Sequence, residues 1–434
     1  MNWMFKIFCG LTLLSGLGSW VVSAQTQPAG SGMYWVQPKG GSEVQPVPYT
    51  YRGGSMAQRA VPTNHWVSSV VFDRWSFPLH AHPLTYRAAQ AGFEIGYPSP
   101  QVLQKKSGMA EIEWPHQALI TVSPVSFKPQ DARLMDHGDW DAQIEMRQGE
   151  HALQVGILHG SPYSYHRLSD GDVVLQLAQD AKVSVGTGRA QSLFFQVQGK
   201  SFGVFAPIHA TVQWVSPREI RLVMPQGKSY FSVAGLPNLE ATTMAQFERH
   251  AFAFVTGTRV DWTYLQESSQ VKSHFQVMTQ AMEGNEQVPL IGLYPHQWHR
   301  AHLSLAHRYP SVRGDIKVGP AQSFETLLPY DGIVPMWPAL PPQAGGERLK
   351  SLMVGDLAKT PTSFGTQGKG TYWVGKGLGR AAQLMAIAHV NGESAKADRA
   401  QALLTQTMQR FFSGQESGRY FRHDREIGSV LGYP

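Results

Sequence analysis

Cysteine is almost missing from this chain: Cys9 is the only one in 434 residues. Everything after it is therefore without disulfides, cysteine-ligated zinc or a thiol nucleophile. Charge is also sparse, at 16% of residues, against roughly 25% in an ordinary soluble domain. The net charge is +6 with a pI near 9.2, yet the longest basic cluster is Lys105-Lys106. No block of cations is long enough to follow a nucleic-acid groove, so a nucleic-acid partner is not expected. Beyond residue 24 no apolar run reaches the roughly 20 residues of a membrane-spanning helix. A G-x-S-x-G elbow and an H-E-x-x-H zinc motif are both absent, which removes the simplest esterase and metalloprotease readings.

What is present begins with an export leader. Lys6 supplies the positive end, 7–22 the apolar run, and Val22-Ser23-Ala24 a small-residue cleavage pattern before Gln25. Gly10, Ser15, Gly16 and Gly18 interrupt the run, and Cys9 precedes most of it, so neither a spanning helix nor a lipid anchor is expected. The expected destination is outside the cytoplasm, periplasmic or extracellular, with no membrane association after cleavage. Aromatics are abundant, with 12 Trp and 15 Tyr. Such a balance suits a protein that grips a neutral polar ligand by stacking, although any one ring more often fills a core.

At about 100–200 residues per domain, two or three domains are expected. Residues 25–61 are rich in Gly, Pro, Gln and Ser and read as an irregular lead-in. From 62 to about 262 short strand-like runs follow one another, at 65–72, 118–122, 125–127, 153–158, 173–177, 219–223 and 230–233. Residues 193–198 and 201–205 flank Gly199-Lys200, a hairpin signal with glycine placed for a type II′ turn. No helix-length period interrupts this zone, so a β-sandwich is predicted. Residues 271–282 suit a helix ended by Gly284-Asn285, and a mixed segment leads to the proline-rich stretch 338–342. Helical stripes then follow: Leu378, Ala381, Ala382, Met385, Ala388 and His389 before Gly392, then Leu403, Leu404, Met408, Phe411 and Phe412.

Three constellations invite chemistry. The run from Gly370 to Gly377 nearly spells a phosphate loop, but Gly377 stands where a hydroxyl must hold magnesium, and no strand precedes it. It reads better as the start of a helix, which sets Tyr372 and Lys376 four apart on one face, an aromatic platform beside an ammonium donor. His296, His299, His302 and His307 lie close in sequence, but Pro295 and Trp298 point to irregular backbone and a structural role rather than metal. Asp136, Asp139 and Asp141 around Gly138 read as a solvated turn between strands.

Several segments, in order, resemble glycoside hydrolase family 81, the endo-β-1,3-glucanases. They are Pro62-Thr63-Asn64-His65-Trp66, His82-Pro83-Leu84-Thr85-Tyr86, Ile95-Gly96-Tyr97-Pro98, Gly160-Ser161-Pro162-Tyr163, Leu293-Tyr294-Pro295-His296-Gln297-Trp298, Gly332-Ile333-Val334-Pro335 and Tyr372-Trp373-Val374-Gly375-Lys376. The resemblance implies a multidomain β + α chain. Its parts would be a leader (1–24), a lead-in (25–61), an N-terminal β-sandwich (62–270), a small α/β linker domain (271–345) and part of an (α/α)6 barrel (346–434). It implies a β-1,3-glucan partner, hydrolysis with inversion by two opposed carboxyl groups about 6.5–9.5 Å apart, no cofactor or metal, and a monomer. Family members place the acid in an N-D-H-H-F-H-Y-G-Y-like segment and the base further on. Neither occurs here, so no catalytic residue is assigned, and the chain is expected to be a truncated, inactive form. Tyr372, Lys376 and Asp424, the last in a Y-F-x-x-D segment, are carried over as substrate-binding positions. The alternative reading is a secreted, non-catalytic β-1,3-glucan-binding protein.

Overall fold

The structure, a computed structural model, describes the strands Gln25–Ala29 and Gly32–Gln37, and residues 50–330 other than 61–64, 100, 105–109 and 185–190. It also describes 347–348, 351–352, 355, 371–390, 392–413, 422–424 and 429–431. The expected leader 1–24, motif residues 62–64 and 332–335, and the proline-rich 338–342 lie outside the described residues. The protein is mostly β-sheet with few helices.

Two large antiparallel sheets carry the strand-rich zone. One runs, edge to edge, Lys182–Ser184, Ser192–Val197, Lys200–Phe205, Tyr230–Leu236, Tyr163–Leu168, His151–Leu158, Asp141–Gln148 and Asp131–His137. The other runs Thr211–Ser216, Glu219–Val223, Val173–Leu177, His116–Pro124, Gly92–Pro98 and Thr85–Ala89. Alternation explains the inward faces: Val173, Leu175 and Leu177 are buried while Gln176 is exposed. Rings from the two sheets meet, Phe93 with His166 at 6.1 Å and Tyr97 with Phe202 at 5.6 Å. Side chains as buried as Phe93 and Phe202 contribute roughly 1.5–3 kcal/mol each.

Within the lead-in and the strand-rich zone, five expectations about local structure are corrected. Residues 65–72 end in the helix Ser68–Phe72 rather than a strand, because Val67, Val70 and Val71 are the buried residues, at helical spacing. Residues 125–126 form a turn rather than a strand, with Ser126 at φ 61. A helix that the sequence did not announce, Ala241–His250, buries Thr243, Met244, Phe247 and His250. The lead-in contains two paired strands, Gln25–Ala29 and Gly32–Gln37. The hairpin is present, but Val197 pairs with Lys200, so Gln198 (φ 49) and Gly199 (φ 70) form the turn. Positive φ at both positions makes it type I′, not II′.

Residues 270–281 are a strand, not a helix. Ala253–Leu265 and Gln270–Ala281 form one hairpin of 13 and 12 residues, about 40 Å long, and Ser323–Pro329 adds a third strand. This arm crosses the boundary expected at residue 270. A second small sheet joins Leu290–Leu293, Ile316–Pro320 and His307–Tyr309. Among the described residues of 271–345 the only α-helical element is the turn Pro295–Trp298. Further on, helices Thr371–Val390 and Ser394–Ser413 meet through Ala388, Ala397, Leu384, Met385 and Ile387. Gly392 (φ 74) ends the first of them, its amide donating to the His389 carbonyl at 3.1 Å.

Candidate functional site

Three of the ordered motifs, distant in sequence, meet where the large sheets adjoin the arm and the small sheet. The Gly160 amide donates to the carbonyls of Ala81 (2.7 Å) and His82 (2.9 Å). Ser161 Oγ donates to the Leu290 carbonyl at 3.3 Å. A Cβ on Gly160 (φ 95) would lie 2.5 Å from the Gly292 carbonyl oxygen, and one on Gly292 would lie 2.4 Å from that of Gly160. Only paired glycines permit this backbone approach. Tyr294 precedes a helical turn with Pro295 at its first position. The Tyr294 amide donates to Gln297 Oε1 at 3.1 Å, which orients the Gln297 side chain, and the Tyr294 ring lies 6.2 Å from that of His82.

The aspartate loop fastens the arm to this junction. Asp141 is buried, not solvated: its Oδ1 accepts from Thr258 Oγ1 (2.5 Å) and from the Gly138 amide (3.1 Å). The Trp140 amide donates to Thr258 Oγ1 at 2.9 Å, and the Val260 amide donates to Asp139 Oδ2 at 2.5 Å. Burial pushes the Asp141 carboxyl above the usual aspartate range, against the opposing pull of Thr258 and Gly138. Asp136 instead pairs with Arg59 at 2.5 Å on the surface.

Enclosed by these elements is a cavity of about 570 Å³, in the range of small-ligand pockets. His80, His82, His159 and His296 line it together with Asp139, Arg313 and Tyr294, and Trp140, Phe275 and Phe324 supply ring surface. Burial, reinforced by neighbouring imidazoles and Arg313, draws His82 and His159 down to about 4. At neutral pH both are uncharged, each offering one donor and one acceptor nitrogen. The buried Nδ1 of His82 has no hydrogen-bond partner among the described residues. Rings link these groups, His159 to Tyr294 at 5.7 Å and Trp66 to His159 at 5.5 Å. The cavity presents neutral imidazole donors and acceptors beside aromatic walls, with one guanidinium (Arg313) and one carboxylate (Asp139) of opposite sign in its lining, a chemistry suited to a polar ligand without net charge. Among its described lining residues Asp139 is the only carboxylate, and its Oδ2 is occupied, so a two-carboxylate hydrolysis has no second acid here.

Of the residues carried over from sequence, Lys376 does not line the cavity, and the side chains of Tyr372 and Asp424 lie outside the described ones. Tyr372 and Lys376 share the helix Thr371–Val390, which bears out the reading of 370–377 as a helix start, and Lys376 is exposed. Asp424 ends the strand Arg422–Asp424, its backbone paired with Gln37 on one side and Ser429 on the other. Of the histidine group, His296 reaches the cavity, and His307 bonds Gln246 Oε1 at 2.9 Å. Pro295 and Trp298 bound a helical turn rather than irregular backbone. Among the described residues no group of three or more His, Cys, Asp or Glu could hold a metal ion. Sequence reasoning missed His80, Asp139, His159 and Arg313 as one set. The signal was indirect, in motifs at His82, Gly160 and Tyr294 that have no common period.

No family model matches the chain. It is 31% identical over 388 residues to a glucan endo-1,3-β-D-glucosidase of Acetivibrio thermocellus, covering 88% of this chain and 49% of that protein. It is 30% identical over 422 residues to a protein of the same name from Thermobifida fusca, covering 93% and 54%. Among solved structures it is similar to a mutant of the glycoside hydrolase family 81 protein of Clostridium thermocellum. There the TM-score is 0.76 and the identity 28%, over 94% of this chain and 56% of that one. The chain thus spans about half the length of the relatives it matches. Over the region it shares with them, the chain's likeness is to glycoside hydrolase family 81.

Proposed function

We propose that the activity is endo-hydrolysis of β-1,3-glucan with inversion, and that these 434 residues supply the glucan-engaging scaffold rather than the bond-breaking carboxylates. The observation that carries this reading is the likeness to two proteins named glucan endo-1,3-β-D-glucosidase. Inverting chemistry needs a protonated carboxyl to assist the leaving oxygen and an ionised one to activate water on the opposite face. The acid segment implied by the family does not occur among these residues. Asp424 therefore binds or positions glucan, alongside Tyr372 and Lys376. In this reading the two large sheets are the family's β-sandwich, 271–345 its linker domain, and Thr371–Val390 and Ser394–Ser413 the opening of its helical barrel. The protein works as a secreted monomer after loss of residues 1–24.

The test is incubation of the purified chain with laminarin. Retention by the glucan without new reducing ends is the expected result. New reducing ends from this chain would overturn the reading that neither acid lies among these residues, and failure to bind laminarin would overturn the glucan reading itself.

A further inference from the structure

The arm has two unlike faces. Register places Val260, Phe275 and Phe324 in one row, Trp262, Ser273 and Thr326 in the next, and Tyr264, Val271 and Leu328 beyond them. Side chains within such rows share one face of the sheet. Tyr330 joins them, its ring 6.0 Å from that of Tyr264. The opposite face carries the charges, Arg259 paired with Asp261 and Lys272 paired with Glu325, both at 2.9 Å.

The first row of the uncharged face lines the histidine cavity. The cavity wall and the outer arm are therefore one surface, extending from Val260 to Tyr264 over about 13 Å. Along it Trp262 is 70% exposed, Tyr264 43% and Tyr330 41%. Large rings left in water along a surface that continues a ligand-sized cavity mark an interaction site. Its lack of charge argues against a polyanion. Rings beside the half-buried hydroxyl of Ser273, with Thr326 buried in the same row, match an uncharged polymer that has apolar ring faces and hydroxyl edges.

We propose that this face of the arm is a glucan-binding track, on which a β-1,3-glucan chain lies over Trp262, Tyr264 and Tyr330 and enters the cavity with one end. The proposal rests on the glucan reading above. It adds a binding surface far in sequence from Tyr372, Lys376 and Asp424.

Trp262→Ala, Tyr264→Ala and Trp262→Phe test it in the intact protein, by retardation in gels containing soluble β-1,3-glucan and by titration with a β-1,3-linked hexasaccharide. Because these rings are exposed, unfolding temperatures should match the wild type, which separates binding from folding. Each alanine variant should bind about tenfold more weakly, on the scale of one lost ring contact, and Trp262→Phe should recover most of the loss. Wild-type binding that survives in the double alanine variant would overturn the track and leave the glucan reading intact. A wild type that binds no β-1,3-glucan would overturn both. An equal loss for Trp262→Phe and Trp262→Ala would overturn stacking as the mode of contact.

Discussion

Replacing Thr258 by valine keeps the shape of a buried side chain and deletes the hydroxyl that joins the aspartate loop to the arm. That hydroxyl donates to Asp141 Oδ1 at 2.5 Å and accepts from the Trp140 amide at 2.9 Å. A hydrogen bond to a charged group contributes about 1.5–3 kcal/mol, and an unsatisfied buried amide costs about 1–3 kcal/mol. Some relaxation toward water is available, so the expected destabilisation is about 3 kcal/mol in total. Asp141 adds a pH signature. Burial already raises its folded-state pKa, against Thr258, which pulls it down, and losing Thr258 raises it further. For an acid with a raised folded-state pKa, the native state holds the extra proton, so stability falls as pH rises through the window between unfolded and folded values. The deficit of Thr258→Val relative to wild type should therefore be larger at pH 7 than at pH 4. Urea midpoints followed by tryptophan fluorescence at both pH values measure it, and amide exchange at Trp140 locates it. A deficit below about 0.5 kcal/mol, or unchanged protection of the Trp140 amide, would refute the reasoning.

Two further outcomes follow from the same junction. Burial lowers His82 and His159 to about 4 and His166 to about 3, from an ordinary 6.5. The unfolded chain binds more protons across that window, so the stability they contribute is whole above pH 6.5 and is lost as pH falls toward 4; His159→Gln should flatten the urea-midpoint profile between pH 7.5 and 4.5. Gly160→Ala would force a Cβ to within 2.5 Å of the Gly292 carbonyl at a φ of 95. The loss should exceed about 2 kcal/mol, read as a lower unfolding temperature.

Sequence sufficed where one face of a strand was buried and the other wet. Val173–Leu177 and Glu219–Val223 fall where the alternation placed them, and the helix beginning at Thr371 follows the i, i+4 pattern. It failed where the same residues satisfy two periods. In 270–282, Val271, Phe275 and Val277 alternate as a strand, while Val271, Phe275, Met278 and Met282 also recur as a helix. Pairing with Ala253–Leu265 and Ser323–Pro329 decided between them, and neither partner can be read from the segment itself. Valines at 67, 70 and 71 favoured strand by residue type and helix by spacing, and burial followed the spacing. The cavity was harder still. Its lining is drawn from His80 to Phe324, so no window of the sequence contains it, and Asp141 became a buried anchor only because Thr258 arrives from a remote strand.

The parallel pairing of Gly32–Gln37 with Arg422–Asp424 has a consequence for biosynthesis. These partners stand about 390 residues apart, and at about 5–20 residues per second a ribosome needs roughly 20–80 s to deliver the second after the first. Throughout that interval the early strand has, among the described strands, only its hairpin neighbour Gln25–Ala29, and its other edge waits for a sequence not yet made. Closure of the four-stranded sheet is therefore a late event in the life of the nascent chain, with the strand Gly32–Gln37 the place where a holding factor has longest to act.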